Sequence, residues 1–216
     1  MSRPLRRDAE RNRQRILEAA AEVFAARGLE VTLDDIAKHA GLGVGTVYRR
    51  FPSREHLVEA LFEHTIDEIA DLAEASLREP DPWTALTEFM FRTAELQTAN
   101  AGLRQVMLSS AYGHDRVARA RERLIPAAHR MVARAQADGS LRADLDPTDI
   151  PLIEFMIGST ADYTGGLRPQ LWRRFLTIVL DGLRVRRDEP TELPEPALGH
   201  DALADAMNHW KPGRQH

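Results

Sequence analysis

Residues 32–51, Thr32-Leu-Asp-Asp-Ile-Ala-Lys-His-Ala-Gly-Leu-Gly-Val-Gly-Thr-Val-Tyr-Arg-Arg-Phe51, decide the architecture. Thr32 with an acid three residues on is a capping box, so a short helix opens there. Its inward residues are Leu33, Ile36 and Ala37. Two short helices that cross steeply need a small residue where their axes meet, and Ala37 supplies it. Four residues later Gly41 can turn the chain through positive φ. Ile36, Leu42 and Val47 are the apolar anchors of the pair. The second helix, expected from about Val44 to Phe51, stops before Pro52. It turns Val44, Gly45, Thr46, Tyr48, Arg49 and Arg50 outward. This is a helix-turn-helix whose exposed set suits a DNA major groove. Arginine can pair with guanine O6 and N7. The Thr46 and Tyr48 hydroxyls can reach phosphates. Gly43 and Gly45 leave the helix N-terminus free to approach the backbone.

Working outward, a first helix is expected from about Asp8 to Arg27, with Ile16, Leu17, Ala20, Val23 and Phe24 on one face and Gly28 as its stop. Ser53 caps a long fourth helix to about Arg78. The periodicity then predicts helices at about 82–99, 103–112 and 115–138, the last kinked or broken at Pro126. Asp146-Pro147 reads as the start of an eighth helix, ending at Gly165-Gly166, and Pro169 as the start of a ninth, through Leu183. Strand signals are nearly absent. The fold class is all-α: a three-helix head (1–55), a long fourth helix leading into a helical body (56–184), about nine helices in total, and a tail (185–216) with a possible short helix over 201–210.

Composition narrows the function. The chain has 216 residues and no cysteine, which excludes disulfides and thiolate metal sites and favours a reducing cytoplasm. It has no apolar run of membrane-spanning length, so no membrane partner is expected. The net charge of −4 argues against a nucleic-acid binder until it is divided. Residues 1–56 carry 11 Lys and Arg against 8 Asp and Glu, and residues 57–216 carry 18 against 25. A basic head on an acidic body binds DNA with one end only. The Arg3, Arg6 and Arg7 arm suits a minor groove, and equally a solvated tail.

The run Gly41 to Leu57, with Ile16 to Gly28 before it, closely resembles the signature of the TetR/AcrR family of transcriptional regulators. The resemblance covers about residues 10–60. It implies phosphate contact by Tyr48, groove-facing roles for Val44, Thr46 and Arg49, and approach of Arg54 to phosphate; Thr32, Gly45 and Arg50 complete the candidate DNA-binding set. Gly43 stands where the family often has a capping serine and Arg50 where it often has histidine. The body resembles regulators of high-GC actinobacterial genomes in layout, and 27 Arg against 2 Lys fits such a source.

The resemblance further implies a ligand cavity in the body and a two-fold dimer interface on the last two helices. Candidate cavity residues are Phe89, Met107, Tyr112, Met131 and Phe155, since methionine-rich walls adapt to apolar ligands. Candidate interface residues are Ile153, Ile157, Thr160, Leu171, Trp172, Phe175, Leu176 and Val179, more apolar surface than one helical neighbour covers; an intramolecular core is the other reading. His64, His114 and His129 are scattered and read as ordinary histidines, so no metal, cofactor or catalytic group is expected. The expected partners are a palindromic double-stranded operator, a second copy of the chain and an unidentified small-molecule effector. A repressor released by an apolar ligand is the leading reading. An activator shares every feature, a helical enzyme would need clustered polar groups in the body, and a nucleoid coater a more basic one.

Overall fold

A computed structural model describes residues 3–108, 115–164, 167–186, 189, 191–199 and 201–203. Among these the named elements are nine α-helices: α1 Arg3–Arg27, α2 Leu33–Ala40, α3 Val44–Arg50, α4 Arg54–Ser76, α5 Pro82–Ala99, α6 Ala101–Leu108, α7 Asp115–Asp138, α8 Asp149–Thr164 and α9 Leu171–Leu183. The one β-bridge among the described residues, Leu141 with Arg184, pins the α7–α8 loop to the end of α9.

The α1–α3 unit follows from local chemistry. The Thr32 hydroxyl accepts from the Asp35 amide at 3.1 Å while the Asp35 carboxylate accepts from the Thr32 amide at 3.1 Å. The Thr32 hydroxyl, donating to the Asp35 carboxylate at 2.8 Å, and then the Thr32 amide hold that carboxyl below its usual pKa. Gly41 adopts φ 62° and terminates α2, and the Leu42 amide closes back on the Ala37 carbonyl at 3.0 Å. Ile36, Ala37 and Val47 are fully buried at the α2–α3 crossing. The Arg15 guanidinium donates to the Ala40 carbonyl at 2.8 Å, tying the end of α2 to α1.

In the body, α4 buries one stripe (Leu57, Val58, Phe62, Ile66, Ile69, Ala70, Ala73) and packs lengthwise on α7. Arg123 of α7 spans Asp67, Asp71 and Glu74 of α4 across the solvent side of that contact. Arg134 donates to the Leu77 and Glu79 carbonyls at 2.7 and 2.8 Å and so satisfies the end of α4. The helix α5 lies between α4, α7 and α8. Its N-cap is Asp81, with proline next. The apolar cluster runs without interruption from Ile16 to Leu183, so α1–α3 and the body share one core.

Several boundaries differ from the sequence expectation. The first helix begins at Arg3 rather than Asp8. The eighth begins at Asp149: Asp146 instead makes a turn, its carboxylate accepting from the Thr148 amide at 2.9 Å while its own amide is taken by Asp149. The last begins at Leu171. The helix α7 passes through Pro126 unbroken. Pro126 is exposed, so water can satisfy the carbonyl that loses its partner there. The sixth helix is described only to Leu108 and the tail helix only over 201–203.

Gly41 offers a direct test. An added Cβ would meet only the Arg15 guanidinium at 3.5 Å, so the cost of Gly41→Ala is that of the left-handed backbone alone. Stability should fall by about 1–2 kcal/mol in denaturant unfolding.

Candidate nucleic-acid interface and body cavity

On α3, Val47 alone is buried; Val44, Gly45, Tyr48, Arg49 and Arg50 are exposed and Thr46 is half-buried. The expected groove-facing set therefore shares one open surface. Tyr48 is 46% exposed, unusual for so large a ring without a partner surface. Among the described residues Arg49 makes no hydrogen bond or ion pair, while Arg50 reaches Glu10 of α1 at 4.0 Å.

Two members of the expected set are placed differently. The Thr32 hydroxyl donates to Asp35 at 2.8 Å and accepts from its amide, so it is committed to the α2 cap. Arg54 turns back toward the α1–α2 loop, donating to the Leu29 carbonyl at 2.9 Å with Glu30 at 3.9 Å. A carbonyl and a carboxylate within reach, both on the loop just before α2, draw it inward. Of the N-terminal arm, the backbone continues α1, and the Arg3, Arg6 and Arg7 side chains lie outside the described ones.

The body holds a cavity of about 270 Å³ between α4, α5, α6, α7 and the start of α8. Ile69, Phe89, Met107, Leu124 and Ile150 form its apolar wall; Thr93, Gln97, Arg121, His129 and Glu154 add polar groups. Phe89 and Met107 of the expected set line it. Met131 is buried in the core nearby but does not, and Tyr112 lies outside the described residues. Phe155 is a correction. It is 48% exposed, because α8 turns Glu154, not Phe155, toward the cavity.

Glu154 is the residue that sequence reading missed. It is 5% exposed, accepts from Thr93 Oγ1 at 2.9 Å and lies 3.5 Å from Gln97 Nε2. Burial pushes its pKa up to about 8, against a smaller lowering by the Thr93 bond. The available signal was a lone acid in the otherwise apolar run Ile150-Pro-Leu-Ile-Glu-Phe-Met-Ile157. No group of three or more metal-ligating side chains occurs among the described residues; His64 sits on the surface beside Glu68, His129 is at the cavity rim, and His114 is outside them.

The expected dimer residues divide. Ile153, Ile157, Leu171, Trp172 and Leu176 are buried within the chain, Trp172 against Phe91 with ring centroids 6.2 Å apart. They are core, as the intramolecular alternative had it. Thr160 and Val179 are half-buried and Phe175 is exposed. The open apolar face is Leu152, Phe155 and Met156 of α8 with Phe175 and Ile178 of α9, each 39–59% exposed. Because α8 is apolar on both sides, periodicity alone could not say which side faces out.

The raised pKa of Glu154 fixes a pH dependence. Its protonated form is the one the fold favours, and the carboxyl of an unfolded chain titrates near 4.5. The stability this group contributes is therefore complete below pH 4.5 and is lost as pH rises through about 8. Thermal unfolding followed across that window should show Glu154→Gln declining less than wild type; parallel curves would contradict the assignment.

The comparisons agree with this arrangement. Residues 16–61 match the family model of tetR-family bacterial regulatory proteins, and residues 81–185 match that of the C-terminal domain of SbtR-like transcriptional regulators. The HTH-type transcriptional regulator SrpR of Pseudomonas putida is 29% identical over 151 residues, 68% of this chain and 71% of that protein. The TetR transcriptional regulator SCO0520 of Streptomyces coelicolor is 34% identical, with 83% of this chain and 99% of that one covered and a TM-score of 0.50. FadR from Bacillus subtilis, solved in complex with stearoyl-CoA, is 18% identical over 79% of this chain and 98% of its own, with a TM-score of 0.57, a likeness of fold alone. Matched at both ends by its family models and along most of its length by a one-third-identical relative, the chain belongs to the TetR family of bacterial transcriptional regulators, DNA-binding proteins rather than enzymes.

Proposed function

We propose that the protein is a cytoplasmic repressor that binds a palindromic operator as a homodimer and releases it when a small ligand enters the body cavity. The observation that carries this reading is the joint presence of an open α3 surface, a body cavity and an exposed apolar face in one chain. Residues 1–55 form the DNA-reading unit, 56–184 the ligand and pairing unit, and 185–216 the tail. Val44, Gly45, Thr46, Tyr48, Arg49 and Arg50 contact DNA. Thr32 and Arg54 act from behind, holding the α2 cap and the α1–α2 loop.

A single short helix makes too few base contacts for specificity, so two must sit in successive grooves about 35 Å apart. The Leu152, Phe155, Met156, Phe175 and Ile178 face supplies the pairing surface, with residues at i, i+3 and i+4 of α8 forming one stripe.

Coupling runs through α6 as well as α4. Met107 of α6 lines the cavity. Two residues earlier, Gln105 Oε1 accepts from the Leu29 amide at 2.6 Å. Gly102 packs tightly against Phe24 of α1 and Phe62 of α4, where an added Cβ would come within 3.0 Å of each. A ligand that displaces Met107 therefore moves the α1–α2 loop directly. FadR of the same fold was solved with stearoyl-CoA, a long acyl chain on a charged carrier; a cavity of about 270 Å³ here calls for a smaller molecule.

Arg49→Ala should weaken operator binding by about 1–3 kcal/mol and relax base preference, while Tyr48→Phe should weaken it evenly across sequences, both read by gel shift. Gly45 has nothing within 4 Å of an added Cβ. Gly45→Ala should therefore raise stability by up to about 1 kcal/mol and still weaken DNA binding, separating the two roles. Sedimentation should give twice the 24.3 kDa chain mass. Phe155→Glu combined with Phe175→Glu should return it to the monomer; a dimer that survives both would place the interface elsewhere.

A further inference from the structure

The reading of the body cavity as an effector site leaves the effector's chemistry open, and the inference here rests on that reading. We propose that the cavity is built for an apolar molecule carrying a positively charged nitrogen, and that Glu154 is the group that receives it.

The carboxyl of Glu154 lies in the wall of the cavity, 5% exposed, and is met by neutral groups only. The Thr93 hydroxyl has one hydrogen and three acceptors within reach: Glu154 at 2.9 Å, the Phe89 carbonyl at 2.9 Å and the Met90 carbonyl at 3.2 Å. It can serve one at a time. Gln97 Nε2 stands at 3.5 Å, the limit of a hydrogen bond. A carboxylate offers about four acceptor sites, so the ionised form of Glu154 is left short of donors in a dry place, an expensive condition that a cation relieves.

The charged groups on the neighbouring elements do not relieve it. Arg104 of α6 lies across Gly158, one turn along α8, where it pairs with Asp162 and donates to the Gln97 carbonyl at 3.0 Å. Arg121 of α7 donates to the Val106 carbonyl, and its own charge is already disfavoured by burial. His129 of α7 stands at the rim. No ion pair to Glu154 occurs among the described residues. Apart from these groups the wall is mainly apolar, with Ile69, Phe89, Met107, Leu124 and Ile150 offering surface to a hydrophobic body. The 25 acids against 18 bases of residues 57–216 set a field that draws cations toward the body.

A proton balance follows. In the empty protein near neutral pH, Glu154 holds a proton. A fixed cation bound beside it favours the carboxylate, so the carboxyl O–H breaks and the proton passes to solvent as the ligand enters.

The test is calorimetric titration of the full-length protein with three probes of similar length: hexyltrimethylammonium, whose charge does not titrate, octanol and octanoate. Hexyltrimethylammonium should bind tightest. Its affinity should rise about tenfold per pH unit from about pH 6, levelling near pH 8, with close to one proton released per ligand on the acidic side. Glu154→Gln should abolish the rise and the release and weaken binding at high pH at least about tenfold. Should that variant not fold, proton release by the wild-type protein, measured in buffers of different ionisation enthalpy, decides alone. Octanol binding with no ammonium binding would overturn the proposal and leave the effector cavity standing. Tighter binding of octanoate, or a pH-independent ammonium affinity, would overturn it likewise. Failure of all three probes to bind the folded protein would overturn the cavity reading with it.

Discussion

The peptide groups of Leu29 are held from two directions, and the connection between the DNA-reading helices and the rest of the molecule depends on it. The amide donates to Gln105 of α6 and the carbonyl accepts from Arg54 of α4. Leu29 itself is fully buried, in the loop that follows the left-handed turn at Gly28. A buried backbone group without a partner costs about 1–3 kcal/mol, so the loop stays where these two side chains are. Any shift of α4 or α6 then becomes a shift of the loop that feeds α2 and α3. The shared apolar core, with Phe24 of α1 against Phe62 of α4 at 6.5 Å between ring centroids, makes the same connection by packing.

The helix α8 is the second constraint. Its inward side supplies Ile150, Ile153, Ile157 and Ala161 to the core and Glu154 to the cavity, and its outward side presents Leu152, Phe155 and Met156. One element thus carries a cavity wall and the proposed pairing face on opposite sides. Arg104 locks α8 to α6 through Asp162, and Gly158 is what allows it, since an added Cβ would overlap the Arg104 side chain. A short path of side chains therefore joins the cavity wall to the α1–α2 loop, from α8 through Arg104 to α6 and on to Leu29.

How far the sequence was legible depended on what each feature requires. The α2–α3 pair was readable to within a residue because its demands are local: a capping box, a small residue at the crossing, a glycine at positive φ. Helix existence was readable along the chain, and boundaries less so where a side chain had two uses. Asp146 was expected to open α8 and instead closes a turn, leaving that task to Asp149. The body's site was the least readable. Phe155 and Glu154 are neighbours, and an error of one residue in the facing of α8 exchanges a cavity wall for a pairing surface. Nothing local sets that facing; it comes from α5 and α6, which are distant in sequence. Arg54 shows the same limit, since its orientation is set by a carbonyl 25 residues away.

The two-sidedness of α8 also bears on how such a protein can change over generations. Substitutions on the cavity side of α8 sit next to the residues of its exposed apolar side, so on the proposed reading they would carry a double penalty. The helix α5 lies inside the body and offers Thr93 and Gln97 to the same cavity. Alterations there touch the ligand without touching the partner. New specificities should accumulate on α5 first, with α8 left as the conservative wall of a chamber whose other side is free to drift.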